Sequence, residues 1–269
     1  MTPSPSSSAS QPGTLAQRLE QVRARIARAC EAAGRSPGEV TLVAVTKYAP
    51  PEQIRELVTL GVADLGESRV QQLQQRAAQI NEWHARQLAR AADASRPLPP
   101  KLRWHMIGHL QRNKVKTLLP LVSCIHSVDS LRLAEELDST AGKLMPGKKV
   151  PVLMQVNASE EPQKFGVAVG AAVHLAEQIA TMPNLQLIGL MTMAAYDATE
   201  SEARFTFSRT RELFEEMKWH RIGGTAFKHL SMGMSGDFEW AIAEGATMVR
   251  IGSQLFGGSH EHESQQEDD

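Results

Sequence analysis

The sequence predicts an α/β fold, a single (β/α)8 TIM barrel with an extra N-terminal helix. Three observations predict it. Eight short apolar runs are spread along the 269 residues, each of the first seven followed by a stretch with apolar residues at helical spacing. Unusual polar residues fall just after those runs, at the strand ends where barrel enzymes gather their chemistry. The chain is also long enough, and at 42% hydrophobic apolar enough, to bury one large core.

Met1 to Gly13 is rich in Ser and Pro and is expected to be disordered, as is the polar, acidic tail 259–269. The barrel domain is expected over residues 14–258. Thr14–Gly34 reads as the extra helix, with Leu15, Leu19, Val22, Ile26 and Ala29 on one face and Gly34 as its stop. It is expected to cover the wall beside the last strand. The eight runs are Val40–Thr46, Val62–Gly66, Leu102–Ile107, Ser123–Ser127, Val150–Val156, Leu185–Leu190, Phe227–Leu230 and Thr247–Ile251. Pro51–Leu60, Leu131–Ser139, Ala171–Thr181 and Glu202–Lys218 are the clearest helices between them. Asn81 to Pro100, which ends in three prolines, reads as a long surface excursion after a helix. Eight runs predict a closed barrel, whereas six or fewer would favour an open sheet.

Several function classes are excluded by composition. The formal net charge is −1 and aromatics make up 5% of residues, so no nucleic-acid surface is expected. No apolar run approaches the roughly 20 residues that span a bilayer, and no signal peptide is visible. Cys30 and Cys124 are too few for a disulfide framework, so a reduced, cytoplasmic chain is expected. No dinucleotide fingerprint, Walker loop or nucleophile elbow can be read. His105, His109 and His126 could gather at the barrel mouth, but their spacing is not that of a metal site, and none is expected.

Four positions carry chemistry. Lys47 follows Val43-Ala-Val-Thr46, so its stem leaves a buried strand at the mouth, and a sheltered lysine amine is a nucleophile toward aldehydes. A lysine reaching out to solvent is the competing reading. The loop Ser231-Met-Gly-Met-Ser-Gly-Asp237 and the pair Gly252-Ser253 follow the seventh and eighth strands, where barrels often bind phosphate. Their glycines allow close approach of backbone amides, and a helix N-terminus adds a favourable dipole. Arg250 ends the eighth strand facing inward. It cannot give up its proton, so beside a pyridine nitrogen it would keep that nitrogen unprotonated and weaken the ring as an electron sink. The competing reading is an ion pair with a barrel carboxylate such as Glu67.

Taken together these residues resemble the pyridoxal phosphate homeostasis protein family, whose members are similar to the N-terminal barrel domain of alanine racemase. The matching segments are Leu42-Val-Ala-Val-Thr-Lys47, Gly66-Glu-Ser-Arg-Val-Gln71, Trp104-His-Met-Ile-Gly-His-Leu-Gln-Arg-Asn-Lys114 and Ile125-His-Ser-Val-Asp129. Gln163-Lys-Phe-Gly166, Gly189-Leu-Met-Thr-Met193, Leu230-Ser-Met-Gly-Met-Ser-Gly-Asp237 and Val249-Arg-Ile-Gly-Ser-Gln-Leu-Phe-Gly257 continue the likeness.

The resemblance implies a barrel that holds pyridoxal 5′-phosphate (PLP) as a Schiff base on Lys47. Ser235, Gly252 and Ser253 match the phosphate-binding positions, Arg250 the arginine facing the pyridine nitrogen, and His105, Met191 and Met234 the pocket lining. Ser68 stands where the family usually has Asn, which puts a contact to the ring hydroxyl in doubt. Ser253 replaces the commoner Thr and keeps the hydroxyl. The implied role is intracellular vitamin B6 homeostasis with no settled turnover, as a monomer serving PLP-dependent apoenzymes. The alternatives are a PLP-dependent amino-acid racemase or lyase, for which neither Tyr48 nor Tyr196 is an obvious second base, and an aldolase that uses Lys47 on a carbonyl substrate.

Overall fold

The computed structural model describes residues 13–93, 100–161 and 163–257. The two terminal segments expected to be disordered lie outside the described residues, except Gly13, whose carbonyl accepts a hydrogen bond from Arg18. No described helix is long and apolar enough to cross a membrane.

Helix α1, Leu15–Ala32, opens on a capping box. The Thr14 hydroxyl accepts from the Gln17 N–H, and the Gln17 side chain accepts from the Thr14 N–H at 2.8 Å. Leu15, Leu19, Val22, Ile26 and Cys30 recur at three- and four-residue spacing and are the buried face. That face packs on the last two helices, as the pattern predicts. Arg18 Nε donates to the Leu255 carbonyl at 2.6 Å, and Arg35 donates to those of Ile242 and Ala246 at 3.1 and 2.8 Å. These bonds tie the start of the chain to its far end.

Eight parallel strands follow: β1 (Thr41–Val45), β2 (Asp64–Glu67), β3 (Arg103–Met106), β4 (Cys124–Val128), β5 (Val150–Asn157), β6 (Leu185–Met191), β7 (His229–Ser231) and β8 (Met248–Ile251). Each pairs with its neighbours in sequence, and β8 pairs back onto β1 with Val43 opposite Arg250 and Ala44 opposite Ile251. The eight close into a barrel, and a further two-residue strand, Val167–Ala168, pairs beside the end of β5. The helices between strands are α2 (Pro51–Thr59), α3 (Val70–Asp93), α4 (Val115–Leu118), α5 (Leu131–Leu144), α6 (Val169–Thr181), α7 (Glu200–Trp219) and α8 (Phe238–Ala243), and α9 (Ser253–Phe256) follows β8. The strands start and stop within a few residues of the predicted runs, because each run mixes strand with the first residue or two of its flanking loop.

One element departs from the sequence reading. The stretch from Asn81 is not a loop: α3 continues unbroken to Asp93. Ile80, His84 and Ala91 stay buried, the Trp104 indole donates to Asn81 Oδ1 at 3.1 Å, and the His84 ring bonds the Pro100 carbonyl at 2.8 Å. The Ala- and Arg-rich composition favours helix, and the prolines come after its last residue in sequence.

The strands separate two interiors. Their outward side chains, such as Ala44, Leu65, Val152 and Leu190, pack with the helices into one continuous apolar core that includes Phe207. Burying that phenylalanine is worth about 2–3 kcal/mol. Inside the ring the apolar set is small: Cys124, Leu153, Met191 and Met248. The remaining interior also holds Asp64, His105, His126, Ser231 and Arg250, all buried and hydrogen-bonded to one another. Common barrels fill that space with branched aliphatic layers.

Candidate functional site

Lys47 lies two residues past the end of β1, half-buried, with Nζ 4.9 Å from the centroid of the Tyr48 ring. Its backbone is held from the side. Arg76 of α3 donates to the Lys47 carbonyl at 2.9 Å and to that of Ala49 at 3.4 Å, while its other nitrogen donates to Glu67 Oε1 at 2.7 Å. The same Glu67 oxygen accepts from the Thr46 hydroxyl at 2.5 Å. Glu67 is fully buried, and burial pushes its carboxyl up, against the hydrogen bond from Thr46 and the charges of Arg76 and Lys47. Its second oxygen has no partner among the described residues.

The loops after β7 and β8 lie against this strand end. A side chain added at Gly252 would place its Cβ 3.2 Å from both Val45 Cβ and the Val45 carbonyl, so glycine lets the loop after β8 press onto β1 two residues before Lys47. The Gly252 N–H reaches the Ser235 hydroxyl at 3.4 Å, and Gln254 Nε2 donates to the Ser235 carbonyl at 2.5 Å. Gln254 Oε1 is buried and unpartnered, and Ser253 is half-buried beside it. The loop from Met234 is closed by the Asp237 carboxylate, which accepts from the Met234 N–H at 2.5 Å. The expected dipole is minor, since α8 has six residues and α9 four; loop backbone and hydroxyls are what this end of the barrel offers an anion.

Arg250 is buried, and burial lowers its guanidinium to about 10 against the opposing charge of Asp237. It donates to the Ser231 hydroxyl at 2.7 Å and to the Thr192 carbonyl at 2.9 Å. The expected alternative pairing with Glu67 is not made, because Arg76 takes that carboxylate. Ser231 contacts His126 Nδ1 at 2.9 Å, His126 Nε2 contacts His105 Nδ1 at 2.9 Å, and His105 Nε2 contacts Asp64 Oδ1 at 2.9 Å.

The three histidines do not gather at the mouth. His105 and His126 point into the barrel, edge to face, whereas His109 stacks on Phe165 at 4.1 Å and pairs with Asp129 at 3.4 Å. Arg103 and His105 of β3 and Cys124 and His126 of β4 face inward, while His109 lies past β3. Cys124 joins His105 and His126 in a cluster whose possible ligand atoms lie within 4.8 Å of one another, a grouping that sequence spacing does not reveal. Both imidazoles already spend both nitrogens on neighbours, and burial pushes the Cys124 thiol well up.

Met191 is buried inside the ring, Met234 is half-buried in the loop after β7, and Ser68 is half-buried just past β2. Ser68 is pressed close: a Cβ at Gly108 would lie 2.2 Å from the Ser68 carbonyl, so the loops after β2 and β3 touch backbone to backbone. Sequence reasoning missed Arg76, Asp64 and Ser231 as parts of this end-to-end arrangement. Arg76 sits on a helix surface pattern, where nothing distinguishes it from a solvated arginine. An amine, a buried cation and a hydroxyl-bearing glycine loop at one end of the barrel suit a phosphorylated aldehyde with a basic ring nitrogen.

Comparison with known proteins agrees. Residues 17–260 match the family model of the alanine racemase N-terminal domain. The chain is 39% identical over 241 residues to the pyridoxal phosphate homeostasis protein of Aquifex aeolicus, spanning 90% of this chain and 96% of that one. The chain belongs to the pyridoxal phosphate homeostasis protein family. The Escherichia coli K12 member is 37% identical over 90% of this chain and 96% of its own. PipY of Synechococcus elongatus, solved with PLP bound, superposes with a TM-score of 0.72 at 33% identity, covering 91% of this chain and all of PipY. Alanine racemase of Clostridium difficile shares the fold, with a TM-score of 0.63 at 15% identity over 57% of its length.

Proposed function

We propose that this chain binds pyridoxal 5′-phosphate at the mouth of the barrel and serves intracellular PLP homeostasis. One observation carries the reading: the β1–β8 register brings the strand end bearing Lys47 against the Gly252–Ser253 loop, with Arg250 opposite Val43 one turn of the pleat below. An amine, a phosphate cradle and a cation for a ring nitrogen then lie within one ligand's span. The PLP-bound PipY relative supports the same assignment.

In this reading the Lys47 amine would hold the aldehyde carbon of PLP as a Schiff base. Ser235, Gly252 and Ser253 hold the phosphate. Arg250 faces the pyridine nitrogen, and Ser68, His105, Met191 and Met234 line the site. Bound PLP supplies an electron sink, which a permanently charged arginine at the ring nitrogen weakens. The site therefore favours holding over turnover. Both tyrosines are exposed at the mouth, and neither is a buried second base. The chain acts as a monomer in the cytoplasm and exchanges PLP with apoenzymes that need it.

The test is direct. Purified protein incubated with PLP should turn yellow, and borohydride should fix the label on Lys47. Colour that bleaches with no label on that residue refutes the assignment. Turnover of L-amino acids at about 1 s⁻¹ or faster would replace the carrier with an enzyme.

A further inference from the structure

The barrel interior carries a feature that PLP retention alone does not require. From Arg250 a run of buried side chains crosses the ring through Ser231, His126 and His105 to Asp64, with successive contacts of 2.7, 2.9, 2.9 and 2.9 Å. Asp64 begins β2, at the end of the barrel opposite Lys47, and there Arg103 binds both its oxygens, one of them through Nε at 2.6 Å.

The two ends of this run are fixed, and an assignment with both imidazoles neutral satisfies every bond between them. A guanidinium can only donate and a carboxylate can only accept. Arg250 donates to Ser231, so the hydroxyl hydrogen is available to His126 Nδ1. Burial drives the His126 ring well below its usual basicity, and the Arg250 charge pushes the same way, so this ring is neutral. Accepting at Nδ1, it carries its one hydrogen on Nε2 and donates to His105 Nδ1. His105 in turn carries its hydrogen on Nε2 and donates to Asp64. Burial alone would raise the Asp64 carboxyl, but hydrogen bonds from His105 and Arg103 outweigh burial and hold it below its ordinary value, so it is the ionised acceptor the run needs. Each hydrogen is used once, and no member competes for two. His229 and Asp237 are the other titratable groups felt by His126 and Arg250.

We propose that Asp64, His105, His126 and Ser231 form a one-way hydrogen-bond relay that fixes the pose of Arg250, making His126 a positioning residue for the ring of the bound cofactor. The proposal rests on the reading of the site given above. Head-to-tail hydrogen bonds between a cation and an anion polarise one another in a dry interior, so the guanidinium is held through Ser231 on one side and the Thr192 carbonyl on the other. Deleting the middle of the run would leave Arg250 charged, with Ser231 no longer oriented and the Thr192 carbonyl as its firm anchor.

Two measurements decide it. In the full chain without added PLP, ¹⁵N-histidine NMR near neutral pH should find His105 and His126 both neutral, with hydrogen on Nε2. A doubly protonated ring, or hydrogen on Nδ1 of either, overturns the relay. With PLP added, His126→Phe should move the pH profile of the visible band and loosen retention about ten- to a hundredfold, the scale of one hydrogen bond to a charged group. His126→Gln, with one acceptor and one donor, should restore both. Ser231→Ala, the smallest cut, should act as the Phe variant does and carries the test if that variant does not fold. A band that titrates as in the parent in both variants refutes the positioning role. A parent chain that takes up no PLP would refute the proposed function instead, while the tautomers would still decide the relay.

Discussion

Arg76→Ala tests how firmly Lys47 is held. Arg76 Nη atoms bond a fully buried carboxylate at 2.7 Å and the Lys47 carbonyl at 2.9 Å. A hydrogen bond to a charged partner is worth about 1.5–3 kcal/mol, and one to a carbonyl about 1 kcal/mol, so the variant should lose about 3 kcal/mol near neutral pH. The loss should depend on pH, with a sign fixed by Glu67. Burial already raises this carboxyl and Arg76 opposes the rise, so removing Arg76 raises it further. For an acid with a raised folded-state pKa, stability is fully present below the unfolded-state pKa and is lost as pH rises through the folded-state value. The deficit of the variant should therefore be small below the usual carboxylate range. It should grow by about 1.4 kcal/mol per pH unit between the folded-state pKa values of parent and variant. Urea denaturation across that range measures it. A deficit that is flat with pH, or under about 1 kcal/mol throughout, refutes the clamp.

Other substitutions follow the same logic. Lys47→Ala should abolish the visible absorption of bound PLP while far-UV circular dichroism stays that of the parent barrel. Ser235→Ala with Ser253→Ala should weaken PLP retention about ten- to a hundredfold by titration, the scale of losing hydroxyl contacts to a charged group. Gly108→Ala, which must displace the Ser68 backbone, should cost about 1–3 kcal/mol in chemical denaturation, in the range of overpacking changes. Cys124, buried with its thiol pushed up, should react with a thiol reagent only when the chain unfolds, which a stopped reaction with and without denaturant reads directly.

The architecture was legible because each strand is a short apolar run and each helix shows a face, so eight runs were enough to predict a closed ring. Lys47, Arg250 and the Gly252–Ser253 loop were legible because strand ends in such a ring converge. The helix after Asn81 was obscured by the prolines that follow it, which lie beyond its end rather than within it. The His105–His126 contact could not be read at all. It depends on β3 and β4 being neighbours in a register that sets His105 opposite Cys124, and a single strand carries no sign of its register. Arg250 could be placed on the inner face but not paired, since the competing cation for Glu67 is Arg76, nine residues on in α3, where a helix-surface arginine carries no sign of its partner.

The first and last strands of the barrel sit side by side, and the catch between them has consequences for how the protein matures. Seven strands of the ring separate Lys47 from Ser253 in the sequence, so no partial chain still open at that seam could grip both ends of one ligand. On the proposed reading, a molecule bridging them would hold that joint shut, and by mass action its concentration would set how rarely the joint opens. Vitamin supply would then be written into the lifetime of the folded chain itself.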